Sequence, residues 1–204
     1  MTIELRKVFE TELQSYLKDK LSSFSFIKVI RNEVKLAVGQ ASGRIGFGFL
    51  NNAQGYVLSE SVSLPELRDF YNQISPPYRP NFTTNFELVM NTSMEIGFKS
   101  FSPSMKGTVD LPRNEDERKK ACEWIYTKVR DIYLPRAMNL IELKPEAIKD
   151  VISFPDYYAY PFLTILYIIK KNNIPLSELN MESIFSKKIL GNKSFDKNLF
   201  EAYL

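Results

Sequence analysis

Between Glu33 and Glu60 apolar and polar residues alternate with a period of two. Val34, Leu36 and Val38 alternate with Lys35, Ala37 and Gly39, and Ile45, Phe47 and Phe49 alternate with Arg44, Gly46 and Gly48. Successive side chains of a strand point to opposite faces, so the pattern predicts strands with one buried face. The second strand is expected to be bulky toward the core and nearly bare outside, with room for a helix, a neighbouring backbone or a ligand. Asn51, Asn52 and Gly55 supply residues that tolerate positive φ, as a hairpin connection needs.

The period becomes helical in the segment before this one. Leu5, Phe9, Leu13, Tyr16, Leu17 and Leu21 share one face from Thr2 to about Leu21. Phe24, Phe26, Ile27, Val29 and Ile30 then read as a first strand, with Arg31, Asn32 and Glu33 as a turn. After Glu60, Ser63-Leu64-Pro65-Glu66 predicts a capping box opening a helix from about Leu64 to Ile74, striped by Leu67, Phe70 and Tyr71. Ser75 to Thr84 holds three prolines and is a loop. Phe86, Leu88 and Met90, then Met94, Ile96 and Phe98, predict two more strands joined near Asn91 to Ser93, with Glu87, Glu95 and Lys99 on alternate positions. Thr108 to Leu111 reads as an edge strand.

Beyond Arg113 the pattern is helical. Asn114 and Glu117 form a second capping arrangement, and Cys122, Ile125, Val129, Ile132 and Tyr133 recur on one face up to Pro135, which is expected to end or kink the helix. Ala137, Met138, Leu140 and Ile141 continue the apolar surface. Pro145 to Ile152 is a short helix, and Phe154-Pro155-Asp156 a break. Tyr157 to Ile169 is the most apolar stretch, and Leu163, Ile165, Leu166, Ile168 and Ile169 predict a helix starting near Tyr160 and buried on several sides. Pro175 to Leu204 offers two short amphipathic helices around Gly191-Asn192. The expected fold is α+β: an antiparallel sheet of about five strands in the N-terminal half packed against an N-terminal helix and a helical C-terminal half. We expect one domain, sheet-rich over 1–112 and helical over 113–204.

Composition narrows the chemistry. With 204 residues, 44% of them apolar and 25% charged, the chain has the make-up of a globular protein rather than a disordered one. Its net charge of +3 is spread among interspersed acids and bases, so no nucleic-acid footprint stands out. A single cysteine excludes an internal disulfide and paired-cysteine zinc sites. The absence of histidine removes Ser-His-Asp and Cys-His activation and imidazole metal sites. The charged N-terminus does not read as a secretory signal, and Tyr157 to Ile169 falls short of the roughly 18 apolar residues of a membrane span. A soluble protein of the cytoplasm is expected, with the sequons at Asn81, Asn91 and Asn192 as chance matches.

Gly43-Arg44-Ile45-Gly46-Phe47-Gly48 lies inside a strand with no helix start after it, which argues against a phosphate-cradling loop. Asp156, Tyr157, Tyr158 and Tyr160 form the densest group of polar-tipped aromatics and suit a binding surface; the competing reading has Asp156 cap a helix while the tyrosines pack. Trp124 sits at the flank of its helix stripe as a further contact candidate, whereas Cys122 reads as a small buried hydrophobe. Arg79, beside Tyr78, lies in a loop of the kind that carries function. Arg44, Arg79, Arg130 and Arg136 are candidates to converge on an anion, against a default in which they are solvated or paired. Glu115-Asp116-Glu117 ahead of Arg118, Lys119 and Lys120 reads as a solvent-facing helix start. The expected site is Asp156, Tyr157, Tyr158, Tyr160, Arg79 and Trp124, with no metal and no cofactor. It would serve a non-catalytic protein-binding or regulatory module, for instance an inhibitor or immunity-type protein, whose partner is another protein and not a membrane or a nucleic acid. Two other classes compete: an enzyme using carboxylate, tyrosine or lysine chemistry in a cleft, and a weak nucleic-acid binder using Lys187, Lys188, Lys193 and Lys197.

Overall fold

The computed structural model describes residues 2–83, 85–91 and 108–203. The fold is α+β, with an N-terminal helix, an antiparallel sheet in the N-terminal half and a helical C-terminal half. Helix α1 (Thr2–Lys20) precedes strands β1 (Ile27–Ile30), β2 (Glu33–Val38), β3 (Ala41–Leu50) and β4 (Gly55–Ser63). Helix α2 (Pro65–Ile74) then leads to β5 (Leu88–Asn91) and β6 (Thr108–Asp110). The strands lie in the order β1-β2-β3-β4-β5, with β6 pairing to β4 off that path. Helices α3 (Glu115–Lys128), α4 (Leu134–Ile141), α5 (Glu146–Ser153), α6 (Pro161–Asn172), α7 (Met181–Ile184) and α8 (Lys193–Tyr203) complete the chain. The strand expected through Met94, Ile96 and Phe98, with Glu95 and Lys99, lies outside the described residues.

Contacts divide the chain into two compact units, Met1–Ser61 with Met90–Pro135 and Val62–Val89 with Arg136–Leu204. Each unit therefore draws on both the sheet-rich and the helical stretch.

In the first unit the period-two pattern does what it predicts. Val34, Leu36, Ile45, Phe47, Tyr56 and Leu58 are buried, while Lys35, Arg44, Gly48 and Ser59 are exposed. Phe9, Leu13 and Leu17 of α1 join them in the core, where the Phe9 and Tyr56 rings meet edge to face at 5.3 Å. The Tyr56 hydroxyl donates to Glu10 Oε1 at 3.1 Å, which satisfies a polar tip that would otherwise be stranded. Helix α3 lies against α1, tied at its edge by Arg118 Nε to Glu12 Oε2 at 2.7 Å.

Gly43 lies on the inner face with Ile45, as the period of two requires, and a methyl there would stand 3.0 Å from Leu36 Cδ1; Gly46 and Gly48 leave the outer face bare. Two local expectations are corrected in this unit. The left-handed residue of the β3–β4 turn is Gln54 (φ 50°), not an asparagine, and its side-chain amide donates to the Asn51 carbonyl at 2.6 Å. Gly55 serves close approach instead, because a Cβ there would lie 2.7 Å from the Val109 carbonyl oxygen of β6. Pro135 does not end its helical region, which runs on into α4; ahead of it Val129–Tyr133 adopts a π-helical turn, in which the Leu134 N–H donates to the Val129 carbonyl. Widening the coil there accommodates a residue that has no N–H to give.

The second unit is organised around α6. Phe162, Leu163, Ile165, Leu166, Ile168 and Ile169 are buried, as its all-round apolar pattern predicts. Helices α2, α5 and α8 pack on it. The Tyr71 hydroxyl of α2 meets Thr164 Oγ1 at 2.7 Å, and the Thr164 hydroxyl donates to the Tyr160 carbonyl at 2.8 Å. The capping box expected at Ser63 and Glu66 does not form. The cap position is Leu64, without a side-chain bond; Ser63 Oγ accepts from Arg68, and Glu66 turns to Tyr167 and Lys171. The Leu64 amide is satisfied at 2.5 Å by the buried carboxylate of Glu87, which also receives Arg68 Nε at 2.8 Å. Among the described residues no helix is long and apolar enough to cross a membrane.

Candidate binding site

The tyrosines of the Asp156–Tyr160 stretch divide between two environments. Tyr157 and Tyr158 are 4% and 0% exposed, so neither presents its ring to a partner. The reason lies in the backbone: Tyr158 adopts an extended conformation and bridges Leu88, and the Ala159 N–H donates to the Glu87 carbonyl at 3.0 Å. The segment is thereby used as a short strand. The Tyr158 hydroxyl donates to Asp150 Oδ2 at 2.5 Å, and the same carboxylate receives Arg136 Nε at 3.1 Å. Tyr157 stacks on Phe154 with 3° between the planes, and the Arg136 guanidinium carbon lies 5.3 Å and 5.5 Å from those two ring centroids. This is a buried charge and aromatic nest with its polar tips matched. Asp156 is exposed within the 3-10 turn Pro155–Tyr157 and makes no helix cap, since the α6 cap position is Tyr160 without a side-chain bond.

Tyr160 belongs elsewhere. Its half-buried ring meets Tyr71 at 5.0 Å and Tyr78 at 5.9 Å, both edge-on, and Tyr78 in turn meets the half-buried ring of Phe195 at 6.3 Å. Burial pushes the Tyr160 hydroxyl above its ordinary range. Tyr78 is the anchor of this group. Its hydroxyl donates to Asp196 Oδ1 at 2.8 Å, and Asp196 Oδ2 accepts the Gly191 and Asn192 amides at 2.9 and 3.0 Å. Asp196 is wholly buried, and desolvation raises its carboxyl despite the bonds that pull it back down. Desolvation, and then the bond to Asp196, raise the Tyr78 phenol, which stays a neutral donor. The ring lies so close to Gly191 that a Cβ there would stand 2.1 Å from Tyr78 Cε2, which is why a glycine occupies this place.

Arg79 follows this anchor directly. It is exposed, and among the described residues no acid pairs with it. Two residues further on the chain is fastened again: the Asn81 N–H donates to the Ala159 carbonyl at 2.9 Å, and its side-chain amide donates to the Pro155 and Tyr158 carbonyls at 3.1 and 2.9 Å. Arg79 thus stands on a loop clamped on both sides, between Pro77 and Pro80 and next in sequence to Tyr78, whose ring meets those of Tyr160 and Phe195. Tyr78, Phe195 and Asp196 were not among the expected site residues. Only the SPPYRP composition and the glycine at 191 hinted at them.

Trp124 is half-buried on α3 in the first unit, with the Lys128 ammonium 5.5 Å from its ring centroid. Arg44, Arg130 and Arg136 do not converge on an anion; they pair with Glu33, Asp131 and Asp150 respectively. The bare outer face of β3 carries a shallow recess of about 350 Å³ that includes Glu33, Arg44, Gly46, Gly48 and Ser59, but its carboxylate is engaged by Lys35 and Arg44. Cys122 is buried, and desolvation raises its thiol to about 11, which leaves it unreactive at neutral pH. Lys187, Lys188, Lys193 and Lys197 are exposed, with Lys197 over the Phe185 ring. No group of acids and cysteine suited to a metal ion occurs among the described residues.

No family model, curated protein or solved structure matches this chain. What it does has to be argued from its own side chains.

Proposed function

We propose that this chain is a non-catalytic protein-binding module that engages its partner through Arg79 and the half-exposed rings of Tyr78, Tyr160 and Phe195. The observation that carries the reading is an exposed arginine, unpaired among the described residues, on a loop fixed at Tyr78 and at Asn81. Arginine and tyrosine are the residue types most enriched at binding hot spots. A loop already held in place loses little freedom on binding, which is where much of the free energy of association is otherwise spent. The partner presents a carboxylate to the Arg79 guanidinium, a planar donor suited to two parallel bonds, with apolar surface for the neighbouring rings. Tyr157, Tyr158, Asp156 and Trp124 are not part of this contact face.

The reading is tested by immobilising the wild-type protein and the Arg79→Ala and Tyr160→Ala variants, and comparing the proteins each retains from a native lysate. Each variant is expected to lose a species that the wild type holds, while keeping the wild-type melting temperature. Equal retention by wild type and both folded variants would discard the site.

A further inference from the structure

The first unit holds a groove that the aromatic site does not involve. Helix α1 and the outer edge of β1 enclose about 360 Å³ lined by Gln14, Lys18, Leu21, Phe24, Lys28 and Val29 among others. Strand β1 has β2 as its one strand neighbour among the described residues. Which backbone groups face the groove follows from register. The Ala37 N–H donates to the Phe26 carbonyl at 3.0 Å, and Lys28 lies opposite Lys35 and Ile30 opposite Glu33. Hydrogen-bonded pairs alternate along an antiparallel ladder, so Phe26, Lys28 and Ile30 bond to β2 while Ile27, Val29 and Arg31 point their amides and carbonyls away from it.

That outward set is partly occupied. The Ile27 N–H donates to the Phe24 carbonyl at 3.1 Å. The Gln14 side chain, with its oxygen turned to the strand, accepts from the Arg31 N–H at 3.1 Å and from Lys18 Nζ at 3.3 Å. Among the described residues nothing takes the Val29 N–H and carbonyl or the Ile27 carbonyl, which remain for a neighbour. Charge says what kind of neighbour. Lys18 stands on the helix side of the groove and Lys28 on the strand side, both exposed, and no carboxylate is among the residues that line it. Leu21, Phe24 and Ile27 supply apolar surface between them.

We propose that this groove takes an extended acidic segment of a partner protein, added as a strand beside β1. Main-chain bonds to Val29 and Ile27 hold the segment, one side chain enters toward Leu21 and Phe24, and its flanking carboxylates meet Lys18 and Lys28. The short length of β1 restricts the addition to about three main-chain bonds, which suits a reversible contact that weakens with added salt.

The test uses a fluorescent peptide of about ten residues alternating valine with glutamate, long enough to cover the edge. Binding is followed by polarisation and amide exchange by NMR. Saturable binding with slowed exchange at the Val29 N–H is expected. The Lys18→Glu, Lys28→Glu double variant, which leaves the backbone untouched, and a peptide N-methylated at alternate residues should each bind roughly tenfold more weakly or worse. The Arg79→Ala variant should bind as the wild type does, which separates this groove from the aromatic site. No saturable binding, indifference to N-methylation or to the double variant, or equal loss in Arg79→Ala would each overturn the proposal. So would Val29 protection that grows with protein concentration in the absence of peptide, which would assign the edge to a second copy of the chain.

Discussion

Two groups of tyrosines in the second unit each end on a carboxylate and yet differ in what lies beside them. Tyr158 donates to Asp150 in a nest formed with Arg136, Phe154 and Tyr157, where both tyrosines and the guanidinium are buried and the Asp150 side chain is 24% exposed. Tyr78 donates to Asp196 in the same manner, but its next neighbour is the exposed Arg79 and its ring edges are shared with Tyr160 and Phe195. A tyrosine whose hydroxyl is held by an acid is an anchor. What an anchor can support depends on what the adjacent backbone displays, and beside Tyr78 that is the exposed Arg79.

The comparison breaks most severely at Arg136. Truncating it to alanine leaves Asp150 without its cation, and roughly 3–5 kcal/mol of stability should be lost, read from denaturant midpoints. Capture of partner per folded molecule should be unchanged. Gly191→Ala attacks the other anchor by placing a methyl inside the Tyr78 ring. Overpacking of this kind is expected to remove roughly 1–3 kcal/mol, and here partner capture should fall as well because the loop is displaced. If capture survives Gly191→Ala in the folded protein, Tyr78 does not position Arg79.

Tyr78→Phe is a finer probe. Losing one hydrogen bond should lower stability by about 1 kcal/mol, and it also removes a bond that pulls the Asp196 carboxyl down. The folded-state value of Asp196 lies above its ordinary one, so its contribution to stability is complete at pH below the unfolded carboxylate range and is lost as pH rises through the folded value. Urea midpoints should therefore rise on acidification from neutrality through that window, the window should extend to higher pH in Tyr78→Phe, and Asp196→Asn should abolish this component. Arg79→Ala has the smallest effect on the fold, within roughly 0.5 kcal/mol, because the side chain is exposed. A large stability change there would mean that Arg79 is a structural residue and not a contact.

The helix starts show how far local signals reach. Asn114 caps its helix as its spacing to Glu117 predicts, with the return bond shifted by one residue: Asn114 Oδ1 accepts the Glu117 amide at 2.9 Å, and Glu117 Oε2 accepts the Arg113 amide, not that of Asn114, at 2.7 Å. Ser63 and Glu66 carry the same spacing and form no cap, because Glu87, Arg68, Tyr167 and Lys171 offer each group a stronger, charge-assisted partner. Residues near in sequence compete with residues brought near by the fold, and the local motif survives where nothing distant outbids it.

The order of helices and strands, the inward face of β2 and β3 and the all-round burial of α6 were written in periodicity, which depends on each residue's direction from its own backbone. Periodicity says nothing about what arrives from elsewhere in the chain. Tyr78 and Asp196 are separated by 118 positions, and only folding joins them. The same is true of the Leu88–Tyr158 bridge that takes two tyrosines out of contention as contacts, and of the α1 wall that turns the edge of β1 into a groove. Burial and hydrogen-bond partnership are properties of pairs of distant residues, so the positions of both candidate surfaces were decided by the tertiary structure.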